Sequence, residues 1–172
     1  MAIHRLNHAV LYVREVTRSV AFYRDVLDFD VIMQLGTRAA FLRAAGSTND
    51  HDLGLFELGP QAGSSQAGRS TVGLYHLAWE VDTLGDLERI AARLAEAGAL
   101  VGSSDHSTTK SLYGRDPDGL EFEIAWIVPA DLLDDEARAG RTAIRPLDLG
   151  REMARYGAET PGGIGISRTV SS

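Results

Sequence analysis

Two histidines and one glutamate lie in three separate apolar segments that have the alternation of short β-strands. His8 stands in Asn-His-Ala-Val-Leu-Tyr-Val, His76 in Tyr-His-Leu-Ala-Trp-Glu-Val, and Glu123 in Glu-Phe-Glu-Ile-Ala-Trp. Around His76 and Glu123, alternation puts polar residues on one face of the strand and apolar residues on the other. Two histidines and a carboxylate are a ligand set for a divalent metal that keeps coordination positions open, as non-haem Fe(II) does. The sequence therefore predicts a metal site formed by these three side chains.

The elements that position these residues occur twice along the chain. Residues 3–58 and 74–127 each show the pattern of one strand, one helix and three further strands, which predicts two βαβββ modules and the α+β fold class. The helix of the second module is the clearer one, because Thr83 and Asp86 have capping-box spacing at its start. Between the modules, the segment 59–72 is rich in Gly and Ser, which is typical of a flexible linker.

Composition limits the possible classes of function. The 172 residues carry a net charge of −7 and no basic cluster, which argues against nucleic acid as a partner. Cysteine is absent, so a metal must be bound by His, Asp or Glu side chains. No apolar run approaches the roughly 20 residues of a membrane helix, and the N-terminus has no apolar signal segment. We expect a soluble, cytoplasmic protein without membrane partners, with one domain over residues 1–128.

The last part of the chain has a different composition. Residues 131–141 are acidic with a weak helical pattern, and residues 147–156 place apolar side chains on one helical face. We therefore expect residues 129–172 to form a helical arm followed by a flexible end. Because open sheet edges need cover, we also expect a homodimer to which this arm contributes contacts.

Three motifs together resemble those of the vicinal oxygen chelate superfamily. They are Asn-His-Ala-Val-Leu-Tyr-Val at 7–13, Tyr-His-Leu-Ala-Trp-Glu-Val at 75–81, and Asp-Pro-Asp-Gly-Leu-Glu-Phe-Glu at 116–123. The family includes glyoxalase I, extradiol catechol dioxygenases, fosfomycin-resistance transferases and bleomycin-binding proteins. The resemblance covers about residues 3–128 and implies paired βαβββ modules that form a cup-shaped mixed sheet. It also implies that the two histidines and the glutamate hold the metal on the inner wall of that cup.

Two further positions match the extradiol dioxygenases, although the tyrosine among them also occurs in fosfomycin-type members and so supports the fold more than the reaction. These enzymes carry a histidine between the two ligand histidines and a tyrosine shortly before the ligand glutamate, and His51 and Tyr113 match both. A histidine can take a proton from a catechol and return it later, and a tyrosine hydroxyl can hydrogen-bond a substrate oxygen. We therefore predict an Fe(II)-dependent enzyme that cleaves a small catechol-like aromatic diol with dioxygen. Mn(II) could replace Fe(II), since ligand type alone does not select the metal.

Two other functions stay open at this point. Aligning the modules pairs Glu57 with Glu123, and glyoxalase I has a fourth ligand, a glutamate, at this place. His51 opens the predicted strand that contains Glu57, and alternation puts both on one face. With Glu57 on the metal, Ni(II) or Zn(II) and an isomerisation would be favoured. A binding protein of the bleomycin type would keep the fold without a catalytic metal. For His106 we expect an exposed loop residue, and a hydrogen-bond donor that lines the cup is the alternative.

Overall fold

Each of the two copies of the strand-and-helix pattern forms its own four-stranded mixed sheet, with a helix after the first strand. The structure, a computed structural model, describes residues 2–3, 5–68 and 70–163. The predicted α+β class and the two βαβββ modules are confirmed.

The chain divides into two compact units. The first contains the residues up to 66 together with 116–120, and the second contains 67–115 and the residues from 121 onward. The sequence pattern assigns the segment 116–120 to the second module, whereas the structure packs it within the first unit.

The first sheet and its helix are formed by β1 (Ala9–Val13), α1 (Val16–Leu27), β2 (Phe29–Leu35), β3 (Ala39–Ala44) and β4 (Leu53–Glu57). The strand order is β1-β4-β3-β2, with β1 parallel to β4 and the other pairs antiparallel.

One face of the first sheet is covered by α1. Val20 and Tyr23 recur at helical spacing on α1 and are buried, as is Leu53 on β4. On β1, the alternate residues Val10 and Tyr12 point to the other side of the sheet and are 49% and 69% exposed. We call this second side the open face of the first sheet.

The second sheet repeats this arrangement with β5 (His76–Glu80), α2 (Leu84–Glu96), β6 (Leu100–Asp105), β7 (Thr109–Arg115) and β8 (Glu121–Ile127). Its strand order is β5-β8-β7-β6, with β5 parallel to β8. The predicted capping box at the start of its helix is confirmed, because the Thr83 hydroxyl accepts from the Asp86 N–H and the Asp86 carboxylate accepts from the Thr83 N–H. Phe122, Ile124 and Trp126 are buried on the helix side, and the opposite side is the open face of the second sheet.

The segment 116–120 is a tight turn stabilised by its aspartates. The Asp116 carboxylate accepts two backbone N–H groups of the turn, each at 2.9 Å. Gly119 has a φ of 81°, a value that glycine adopts without steric cost. Asp118 forms an ion pair with Arg14 at 2.9 Å, which attaches the turn to the region between β1 and α1.

The C-terminal arm belongs to the second unit. After a short 3₁₀ helix at Ala130–Leu132 it contains α3 (Asp135–Gly140) and α4 (Leu149–Tyr156), and α4 packs against α2. The Gly163 N–H donates to the Ile127 carbonyl at 3.0 Å. The rest of the expected flexible end, 164–172, lies outside the described residues. Within the described part of the chain, every helix is too short or too polar to cross a bilayer.

A buried ion-pair network joins the arm to the second sheet. Lys110 Nζ on β7 lies 2.5 Å from Asp105 Oδ1 and 2.9 Å from Glu152 Oε2 on α4. The three side chains are between 1% and 8% exposed. Burial by itself raises the pKa of Asp105, but hydrogen bonds from Lys110 and the Ser107 N–H outweigh it and keep that pKa below its ordinary value.

Candidate metal centre

His76 and Glu123 lie side by side on the open face of the second sheet. The strand register pairs His76 with Glu121 and Ala78 with Glu123, so alternation brings His76 and Glu123 to the same face. His76 Nε2 is 3.2 Å from Glu123 Oε2, and the two side chains are 28% and 14% exposed.

These two atoms have the spacing of neighbouring ligands on one metal ion. Two ligand atoms that each lie about 2.1 Å from a metal, at a right angle, are roughly 3.0 Å apart. The Tyr75 ring packs on the His76 ring with centroids 4.8 Å apart. His76 Nδ1 is buried and has no hydrogen-bond partner among the described residues. The imidazole and the carboxylate therefore fit two positions of a divalent metal site.

Glu123 is also held from the neighbouring strand, by Ser111 on β7. The Ser111 hydroxyl donates to Glu123 Oε1 at 2.5 Å, and Ser111 is fully buried. Strand alternation could have identified Ser111 as a site residue from the sequence. It lies two positions before Tyr113, so both residues are on one face of β7.

The Tyr113 hydroxyl belongs to a cluster of three polar groups. Ser104 Oγ donates to Tyr113 Oη at 3.1 Å, and His106 Nε2 lies 3.0 Å from Tyr113 Oη. The expectation that His106 is exposed is wrong, because the hairpin between β6 and β7 folds it back. Its N–H donates to the Thr109 carbonyl at 2.9 Å, and the half-buried ring then reaches Tyr113.

In the first unit, His8 and His51 lie together. Their ring centroids are 4.7 Å apart, and the Phe41 ring packs on His51 at 5.1 Å. Nδ1 of His8 is 2.7 Å from Asn7 Oδ1, and Nδ1 of His51 is 2.9 Å from Asp50 Oδ2. A partner at Nδ1 orients an imidazole and leaves Nε2 for a metal or a proton.

The loop before β4 presents His51. The prediction that His51 opens this strand is wrong: the ladder between β1 and β4 starts at the pair Ala9 and Leu53, so no partner strand extends to His51. The buried Asp52 carboxylate accepts the Ala44 N–H at 2.9 Å and thereby holds the loop in place.

Glu57 and His51 do not share a face, so that prediction is also wrong. Glu57 alternates with Leu55, which is buried beneath α1. Its Oε2 accepts the Val16 N–H at the start of α1, at 3.0 Å. His51 instead packs on Phe41, which is not on the side of the first sheet that α1 covers.

The strand register also corrects the alignment of the two modules. Val10 and Ala78 are equivalent positions, because each lies two residues after the site histidine of its module. Ala78 is opposite Glu123, and Val10 is opposite Gly54. Gly54 therefore occupies the position that matches Glu123, and Glu57 lies further along the strand. The pairing of Glu57 with Glu123 by sequence interval is wrong.

The structure brings the predicted site residues together in two groups. His8 and His51 meet in the first unit, and His76, Glu123 and Tyr113 share one face in the second. In the part of the chain that the structure describes, no three His, Cys, Asp or Glu side chains are arranged to hold a metal ion. The three-ligand site stays a prediction.

Comparison with known proteins relates the chain to one family and to named dioxygenases. The model of the Glyoxalase/Bleomycin resistance protein/Dioxygenase superfamily matches residues 5–124. The chain is 35% identical over 119 residues to catechol-2,3-dioxygenase of Bacillus subtilis (strain 168), and 34% identical over 122 residues to biphenyl-2,3-diol 1,2-dioxygenase 3 of Rhodococcus globerulus. The matches cover 69% and 70% of this chain but only 40% and 62% of these relatives.

The fold is similar to that of proteins named for other activities as well. The crystal structure of lactoylglutathione lyase from Agrobacterium tumefaciens matches with a TM-score of 0.54 and 22% identity, over 73% of this chain and 95% of that chain. Similarity at this identity shows the fold and leaves the reaction open. Because the family model matches well over half of the 172 residues, the chain belongs to the glyoxalase/bleomycin resistance protein/dioxygenase superfamily.

Proposed function

We propose that the protein is an Fe(II)-dependent extradiol dioxygenase that cleaves a catechol-like ring beside its hydroxyl pair. His8, His76 and Glu123 hold the metal, His51 transfers protons, and Tyr113 binds the substrate. The observation that carries the proposal is the packing of the His51 ring against the His8 ring at 4.7 Å. In ring cleavage, a histidine beside a metal ligand can transfer protons to and from the substrate. In an isomerase with four protein ligands, His51 would have no such role. The names of the two dioxygenases to which the chain is 35% and 34% identical support the same reaction.

His51 is suited to proton transfer by its type and its contacts. An imidazole nitrogen can accept a proton at one step and return it at another. The Asp50 carboxylate at Nδ1 leaves His51 Nε2 to accept the proton of a catechol hydroxyl. Loss of this proton turns the diol into a stronger metal chelator.

Tyr113 is suited to orienting the substrate. Its hydroxyl accepts a hydrogen bond from Ser104 and has one proton of its own to donate. A catecholate oxygen can accept this proton. His106, at 3.0 Å from the same hydroxyl, limits the directions in which Tyr113 can donate.

The metal and the products complete the proposal. Fe(II), when bound, supplies open coordination positions for the diol oxygens and for dioxygen, and Mn(II) satisfies the same ligand set. In the overall reaction one ring C–C bond beside the diol breaks and both atoms of dioxygen enter the product, a ring-opened acid that carries an aldehyde or ketone. We place the enzyme in the cytoplasm as a homodimer.

The isomerase with Glu57 as a fourth ligand has less support, because this carboxylate already has a partner. It accepts the Val16 N–H at the N-terminus of α1, where the helix dipole favours a negative charge. It also lies on the side of the sheet that α1 covers.

Replacing Glu57 with glutamine is expected to leave metal affinity and turnover unchanged. The free energy of unfolding should fall by roughly 0.5–1 kcal/mol, since a neutral amide replaces the charge beside the helix N-terminus. Glu123→Gln is the matched variant and is expected to lose metal. Metal titration and urea unfolding of both variants test this, and loss of metal from the Glu57 variant would favour the fourth-ligand role.

The proposed function is tested by loading the protein anaerobically with Fe(II) and adding catechol and substituted catechols with dioxygen. Ring cleavage is expected to give visible absorbance together with matching oxygen consumption. An unloaded sample and a sample loaded with Zn(II) are the controls, because neither supports dioxygen chemistry.

The absence of oxygen consumption across the substrate panel would contradict the proposal. The same preparation would then be loaded with Ni(II) and assayed with a hemithioacetal, which tests the isomerase. Tight binding of an aromatic ligand without turnover and without metal would indicate a binding protein instead.

A further inference from the structure

We propose that Ser111 is a positioning residue that fixes the orientation of the Glu123 carboxylate and thereby holds Oε2 toward His76 as a metal ligand. The inference rests on the proposed metal site and assigns a role to a residue outside the set of ligands and catalytic groups.

The contacts of the Glu123 carboxylate separate its two oxygens. Oε1 accepts the Ser111 hydroxyl at 2.5 Å, and Oε2 lies 3.2 Å from His76 Nε2. A hydrogen bond to a charged carboxylate at this distance is among the stronger ones in proteins. Within the described residues, Ser111 forms a hydrogen bond with this carboxylate and His76 forms an ion pair with it.

Ser111 itself has little freedom to move away. It is fully buried, and it lies in the ladder between β7 and β8, opposite Ala125. A serine on a strand interior is fixed by its backbone hydrogen bonds, so its hydroxyl occupies one of a few rotamer positions. Tyr113 is directly opposite Glu123 in the register, but its hydroxyl is engaged with Ser104.

The orientation of the carboxylate matters for metal affinity. With Oε1 held by Ser111, Glu123 would present Oε2 beside His76 Nε2 without losing further torsional freedom on binding a metal. A ligand that is already oriented binds at a smaller entropic cost, so loss of the hydrogen bond should weaken metal binding.

The test is the affinity for metal, measured by competition with a chelator for Mn(II) and Co(II), without any assay of turnover. Ser111→Ala is expected to bind these ions about 10- to 100-fold more weakly, as is typical when the partner of a ligand is removed. Ser111→Thr keeps the hydroxyl and is expected to stay close to the wild-type affinity. Ser103→Ala, the same change on the adjacent strand β6, is the matched control and should bind like the wild type.

A spectroscopic readout separates positioning from a general loss of structure. The Co(II) absorption bands report coordination number and geometry, so they should change in Ser111→Ala and stay unchanged in Ser111→Thr and Ser103→Ala. Wild-type affinity and an unchanged Co(II) spectrum in Ser111→Ala would overturn the inference while leaving the proposed function intact. A wild-type protein that binds neither ion would contradict the proposed function itself.

Discussion

Replacing His8 with alanine is expected to abolish both metal binding and ring cleavage. His8 is proposed as one of three protein ligands, and its Nδ1 contact with Asn7 leaves Nε2 for the metal. Loss of one of three ligands from an open site removes the coordination on which substrate binding depends. Metal content after dialysis and the rate of oxygen consumption measure the two effects.

Replacing His51 with alanine is the matched experiment, since the two rings are neighbours in the same unit. This variant is expected to retain metal and to lose turnover by roughly 10²- to 10⁴-fold, the usual contribution of a positioned acid or base. Loss of metal from the His51 variant would contradict its role in proton transfer and would make it a ligand.

Replacing Lys110 with methionine is expected to lower the free energy of unfolding by about 3–5 kcal/mol. Methionine fills a similar volume, but it leaves the buried carboxylates of Asp105 and Glu152 without the cation that both contact. A buried charge without a partner is strongly destabilising. Chemical unfolding followed by circular dichroism measures the loss.

Two further variants show whether the loss comes from the uncompensated charge. Lys110→Met combined with Glu152→Leu should recover part of the stability, because it removes one of the two stranded carboxylates. Arg89→Met breaks an ion pair with Asp86 that is largely exposed, and it should change stability far less. Similar losses from Lys110→Met and Arg89→Met would contradict the importance of burial.

The parts of the site that follow from local alternation could be predicted from the sequence. His76 and Glu123 stand in apolar strands whose period of two decides which face each residue takes. The helix with Thr83 and Asp86 was equally accessible, because a capping box is a contact between residues three positions apart.

The parts that depend on a partner strand or on distant contacts could not be predicted in this way. Where β4 begins is decided by its pairing with β1, and this pairing leaves His51 in a loop. Glu57 is engaged by the Val16 N–H, 41 positions away in the chain, so strand periodicity contains no information about it. The hydrogen bond from Ser111 to Glu123 likewise requires the register of two strands.

The burial of Lys110 has a practical consequence for following the C-terminal arm. Lys110 is the only lysine in the chain, and its side chain is 1% exposed. An amine-directed reagent therefore has a single ε-amino target, which it can reach only when α4 separates from the second sheet. The rate at which this one site is acylated measures the opening equilibrium of the arm, in the way that hydrogen exchange measures local unfolding. Acylation of Lys110, followed by peptide mapping, thus reports arm release with no engineered label.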